Sequence, residues 1–269
     1  MTITRLNDIP KGESICILLY GGGGTGKTWF CGTAGDRTLI INISLGILTL
    51  QSPLFRQKVG SNPIIHTITE DLIPDEPRGF DAVKDALNYY TKNYPNEFDV
   101  IVIDDVTELR RLAMNKALQM NAELGNSKSL SHSRKYNEQV VAIQDYGQEM
   151  NLTEGAIRNL VTVSKELNKH LIVVAHERIT YNKATQIGGI ETVHKIAPGF
   201  TGKAFPDETT GIFDFVWHTE AEGSGANISY VIRTAGDNAL IAKSRGNGLF
   251  KTKEVGLTFP EVIKRIKNA

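Results

Sequence analysis

The chain has 269 residues, 41% hydrophobic and 22% charged, an ordinary soluble composition with enough length for one large α/β core or two small ones. Lys+Arg and Asp+Glu are equal at 30 each, which excludes a global field for nucleic acid or anionic lipid and leaves only local basic surfaces open. Two cysteines, Cys16 and Cys31, exclude a disulfide framework, and no segment has a signal-peptide core or the roughly 18 apolar residues of a membrane span, so a reduced, cytosolic protein without a membrane anchor is expected.

The first predicted element is the apolar run Ile15–Tyr20, short and bounded by polar residues and glycines, which reads as a strand buried on both faces. A helix is expected to start near Thr28. Thr38–Ile43 is a second buried run and Asn62–Ile68 a weaker third. Phe80, Val83, Leu87 and Tyr90 recur at helical spacing, and Phe98–Ile103 is the clearest strand of the chain. A polar stretch over 108–148 has scattered helical patterning, with cations Arg110, Arg111 and Lys116 read as a solvated face. A helix over 152–169 then runs into the strand His170–Ala175. Strands alternating with helices predict a mostly parallel, twisted α/β sheet with helices on both faces. Past Pro206, closely spaced runs at 213–219, 228–233 and 239–242 predict an antiparallel C-terminal extension over about 212–250. With no repeat or linker, residues 1–269 read as a single domain.

The octapeptide Gly21-Gly22-Gly23-Gly24-Thr25-Gly26-Lys27-Thr28 matches G-x-x-x-x-G-K-[ST] between a predicted strand and a predicted helix, the context a phosphate-binding (Walker A) loop requires. Glycines let the backbone wrap a polyphosphate with its N–H groups inward, Lys27 neutralises the β- and γ-phosphates, and the Thr28 hydroxyl ligates Mg²⁺. ATP with Mg²⁺ is the expected ligand. Such a loop needs a carboxylate at the tip of another strand, and Val100–Asp105 supplies Asp104 for the metal. Asp105 is one candidate for polarising the attacking water, and Glu108 competes for that role. An acidic turn closing a buried strand would look the same.

With these motifs placed, the chain resembles the RecA-like P-loop ATPases, and within them the phage-encoded ATP-binding proteins of the Sak-four type. The resemblance runs from Ile15 to about Phe250 through GGGGTGKT, VIVIDDVTEL, VVAHE at 173–177 and AKSRGNG at 242–248. It implies a DNA-stimulated ATPase of recombination or single-strand annealing, acting in the cytoplasm of a phage-infected or prophage-bearing cell. By the same resemblance His176 senses the γ-phosphate and starts a mobile DNA-binding loop over about 178–206. There Arg178, Lys183, Lys195 and Lys203 would track single-stranded DNA, with Tyr181 or Phe200 available for stacking. Lys243 and Arg245 resemble the Lys-x-Arg hairpin whose cations reach a neighbour's nucleotide, which implies a homo-oligomeric ring or filament. A single-strand-binding protein is a further expected partner.

One departure stands out. RecA-like proteins place a catalytic glutamate where this chain has Asn42 and Ser44, so the identity of the base stays open. Two other readings therefore stand: a nucleotide-gated loader with negligible hydrolysis, and a P-loop small-molecule kinase.

Overall fold

A computed structural model describes residues 14–269 except 45, 70–71, 74–75, 128–140, 182–192, 203, 224–227 and 247. In chain order the first half comprises β1 (Cys16–Gly21), α1 (Lys27–Gly32), β2 (Thr38–Asn42), α2 (Leu48–Gln51), α3 (Pro53–Lys58), β3 (Ile64–Thr67), β4 (Leu72–Ile73), β5 (Glu76–Pro77), α4 (Gly79–Asn93), β6 (Val100–Asp104) and α5 (Val106–Ser127). There follow α6 (Ile143–Glu166), β7 (His170–Tyr181), β8 (Val193–Pro198), α7 (Phe205–Ile212), β9 (Phe215–Glu222), β10 (Ser229–Arg233), β11 (Lys243–Ser244), β12 (Lys253–Val255) and α8 (Phe259–Lys267).

A ten-stranded sheet in the order β12-β10-β9-β1-β7-β6-β2-β3 organises the described residues, with β11 on β9 and β8 on β7. From β9 through β3 the neighbours run parallel. Both faces are covered, so successive residues of β1 enter different cores, as the two-residue period of a strand dictates. Leu18 and Tyr20 pack with Val83 of α4, Leu109 and Leu112 of α5, Ile157 of α6 and Phe205 of α7. Ile17 and Leu19 pack with Phe30 of α1, Leu50 of α2, Phe55 of α3, Trp217 of β9 and Val262 of α8. Burying each such aliphatic side chain contributes about 1.5–3 kcal/mol, which explains a core built from uninterrupted apolar runs.

The fold class agrees with the expectation: a mostly parallel sheet, helices on both faces and antiparallel strands at one edge. Several details differ, among them the start of α6 at Ile143 rather than near residue 152. The segment expected as a mobile loop is partly strand, because β7 continues to Tyr181 and β8 returns antiparallel, pairing Ile179 with Ile196 and Glu177 with Pro198, while its last residues, Phe205 and Pro206, open α7. The antiparallel extension starts one strand later than predicted. The short helix α7, with Pro206 in its first turn, supplies a crossover, so β9 joins β1 in parallel and the reversal comes with β10 and β11. Residues 239–242 form no strand, because the Asp237 carboxylate accepts from the N–H groups of Ala239 and Leu240 and folds them into a turn. Among the described residues no helix is long and apolar enough to cross a membrane.

Candidate nucleotide site

The C-terminal ends of β1, β6, β7 and β9 lie along one edge of the sheet, with Gly21 in register with both His176 and Thr219. Here the chain leaves β1 and turns through Gly21–Gly26 into α1. Gly26, just before the helix, sits at φ 87, and a Cβ there would stand 2.4 Å from Cγ of Tyr230, so glycine is required twice over. The Thr25 hydroxyl ties the loop across to β9 through Thr219 at 2.7 Å.

The buried Lys27 ammonium donates to the carbonyls of Gly21 (2.9 Å) and Gly22 (2.5 Å). Burial pushes its pKa down, opposed by Asp105, Asp104 and Glu177. The Thr28 hydroxyl donates to Asp104 Oδ2 at 3.0 Å, so the two expected metal ligands meet although 76 residues separate them. Burial and the neighbouring Asp105 raise the Asp104 pKa to about 6, against Thr28, Lys27 and His176. Asn42 is buried in register with Asp104 and donates to Thr67 Oγ1, so a neutral amide fills the place expected for an acid.

These residues fit a magnesium-bound polyphosphate. A Cβ added at Gly23 or Gly24 would meet nothing within 4 Å, leaving room beside the loop backbone. The Thr28 hydroxyl and the Asp104 carboxylate meet within reach of the Lys27 charge, and hard oxygen donors such as these two suit Mg²⁺. Beside Thr25 and Gly26 opens a cleft of about 340 Å³ lined by Trp29, Ile228, Tyr230 and Thr258, mostly apolar with hydroxyls among its lining. Trp29 and Tyr230 lie 5.7 Å apart between ring centres. Such a cleft can take the base and sugar of a nucleotide whose phosphates lie in the loop.

Asp105 is buried. Its Oδ1 accepts from the Glu108 N–H (2.9 Å) at the start of α5, and its Oδ2 lies 3.3 Å from His176 Nε2. His176 thus turns to Asp105. Its neighbour Glu177, the last residue of VVAHE and given no role by the sequence, lies against the loop: a Cβ at Gly22 would stand 3.2 Å from its Oε1. Glu177 Oε2 pairs with the buried His218 Nε2 at 2.7 Å. The one sequence signal for this pair was a second polar residue directly after His176.

Arg178 donates to the carbonyls of Phe200 and Gly202, and Lys195 pairs with Asp207 at 2.6 Å, so both cations are held within the chain. Lys183 and Lys203 lie outside the described residues. Phe200 is buried against Phe205 and offers no free face, whereas Tyr181 is exposed. Lys243 donates to the Thr210 carbonyl, and Arg245 binds Asp214 (2.9 Å) and the Gly211 carbonyl (3.0 Å). Lys243 stands opposite Val216 and Arg245 beside Asp214, at the opposite end of β9 from the loop, and they do not reach the candidate nucleotide site of their own chain.

In overall shape the chain is similar to a KaiC-like protein of the archaeon Pyrococcus horikoshii, at 13% identity over 82% of this chain and 77% of that one, TM-score 0.39. It is also similar to the flagellar accessory protein FlaH of Methanocaldococcus jannaschii, at 10% identity over 91% and 85%, TM-score 0.40. At these scores neither likeness bears on function. No curated protein matches the chain in sequence. The family described as AAA domain matches residues 13–246, from the start of β1 past β11. With the phosphate loop, the Thr28–Asp104 pair and the parallel sheet inside that span, the chain belongs to the AAA-domain family of P-loop proteins.

Proposed function

We propose that the chain binds Mg²⁺·ATP at Gly21–Thr28 and hydrolyses it, with turnover answering to single-stranded DNA in phage recombination or annealing. The observation that carries nucleotide binding is the Thr28–Asp104 hydrogen bond beside an open glycine loop. Loop N–H groups and Lys27 take the phosphates, Thr28 and Asp104 hold the metal, and the cleft at Trp29 and Tyr230 takes the base. Magnesium, when bound, neutralises charge on the terminal phosphates.

The DNA part rests on the family resemblance and on one feature of the sheet. Strand β7 carries His176 and Glu177 at the site and continues into the hairpin with β8, so a ligand on the hairpin would act directly on the strand that borders the loop. A ring or filament in which Lys243 and Arg245 face a neighbour's nucleotide belongs to the same proposal. It requires those side chains to leave Thr210, Gly211 and Asp214. Asn42 in place of an acid favours a second reading, a nucleotide-gated loader that turns over negligibly.

The test is ATP hydrolysis with and without single-stranded DNA, beside Lys27→Ala. DNA stimulation that is lost in the variant supports the first reading. Tight Mg²⁺·ATP binding without turnover, with or without DNA, supports the second.

A further inference from the structure

Among the described residues, Asp104, Asp105 and Glu177 are the carboxylates whose charge bears on Lys27. Asp104 accepts from the Thr28 hydroxyl, and the reading above assigns it to the metal. Both oxygens of Asp105 have partners within the chain, the N–H of Glu108 and the ring of His176. Glu177 differs. Oε2 is held by His218 Nε2, while Oε1 has no hydrogen bond among the described residues and faces the loop at Gly22.

His218 is buried on β9 with its ring centre 5.0 Å from that of Tyr20. Because a carboxylate only accepts, Nε2 is the donor of the 2.7 Å bond, and Nδ1 faces Glu220 Oε1 at 3.5 Å. Strands β7 and β9 flank β1, so the Glu177–His218 bond crosses above the strand that delivers the loop. A buried ring on a rigid strand thereby fixes one carboxylate oxygen and aims the other.

We infer that Glu177 is the base for hydrolysis, filling the role left open by Asn42, and that His218 is its positioning residue. This rests on the nucleotide reading above. In the step, Glu177 Oε1 accepts a proton from the attacking water as the water oxygen bonds the terminal phosphorus. The bond from that phosphorus to the bridging oxygen breaks, and its electron pair leaves with the diphosphate. Glu177 then returns the proton to the released phosphate or to solvent. His218 keeps Oε2 occupied throughout, so Oε1 receives the proton.

The test compares wild type, Glu177→Gln, Glu177→Asp and Asp105→Asn in single-turnover hydrolysis and in equilibrium binding of Mg²⁺·ATP and Mg²⁺·ADP. Gln still accepts from His218, so the pair is retained while the base is lost. Glu177→Gln is expected to cut the hydrolytic rate about 100-fold. Independently of turnover, removing a negative charge that faces the terminal phosphate should raise affinity for ATP relative to ADP by about threefold or more. Glu177→Asp, with its carboxylate withdrawn by one methylene, should lose rate and leave the ATP-to-ADP ratio nearly unchanged. It also decides the matter should the Gln variant not fold. Hydrolysis by Glu177→Gln within threefold of wild type, or a rate lost instead in Asp105→Asn, overturns the inference alone. Wild type that binds Mg²⁺·ATP and leaves it intact overturns the inference together with the hydrolysis reading.

Discussion

Asp104 has to be an anion to hold magnesium, yet burial beside Asp105 raises its pKa to about 6. The raised value favours the protonated form, so as pH falls through 6 a proton increasingly competes with the metal. Half-saturation by Mg²⁺ should therefore weaken about tenfold between pH 7.5 and pH 5. That part of the pH dependence should vanish in Asp104→Asn, leaving only the titration of the nucleotide itself. Tyr230 gives a second test at this scale. Tyr230→Ala should weaken nucleotide binding about tenfold through lost stacking while barely changing the affinity for inorganic tripolyphosphate, measured by competition. Equal losses for both ligands would mean that the cleft does not hold the base. Lys27, Thr28 and Asp104 were legible because a phosphate loop fixes residue types at fixed spacing. Trp29, Glu177, His218 and Tyr230 were given no role, because nothing in their spacing marks them; Glu177 meets His218 across β1, and Trp29 of α1 meets Tyr230 of β10, only in the fold.

At the scale of elements, α1 is short and is held by what packs on it. A Cβ at Gly32 would stand 2.4 Å from Phe55 Cζ and 2.5 Å from Leu50 Cδ2, so α2 and α3 approach the helix where it has no side chain. Gly32→Ala should destabilise the protein by about 1–3 kcal/mol, read as a lowered urea midpoint at unchanged slope. An unchanged midpoint would show that α2 and α3 yield freely. The buried strands β1, β2, β6 and β7 were legible as apolar runs because both of their faces are covered. The hairpin was read as a loop because its glycines and sparse apolar residues hide the strand pattern, and only the pairing of β7 with β8 reveals it. Helix α7 was missed for a related reason: at Phe205–Ile212 it is too short to establish a helical period.

For the whole molecule, a ligand that bridges α1, β6 and the β9–β10 edge should stabilise the fold as a unit. Mg²⁺·ATP at 100 times its Kd should add about 2.7 kcal/mol. That corresponds to a rise in Tm of about 5–10 °C for a chain of this size, lost in Lys27→Ala. No rise in wild type at saturating nucleotide would remove the basis for the loop assignment. The sequence by itself determined the fold class, the phosphate-loop motif and the carboxylate, Asp104, that the structure brings to Thr28. Those are local facts, written as apolar runs of strand length and as residue types that one chemistry demands at one spacing. Only the tertiary structure decided which polar side chains share the nucleotide's edge of the sheet. It set Glu177 and His218 against the loop and Lys243 and Arg245 at the far end of β9, because strand order, not position along the chain, decides which strand ends are neighbours.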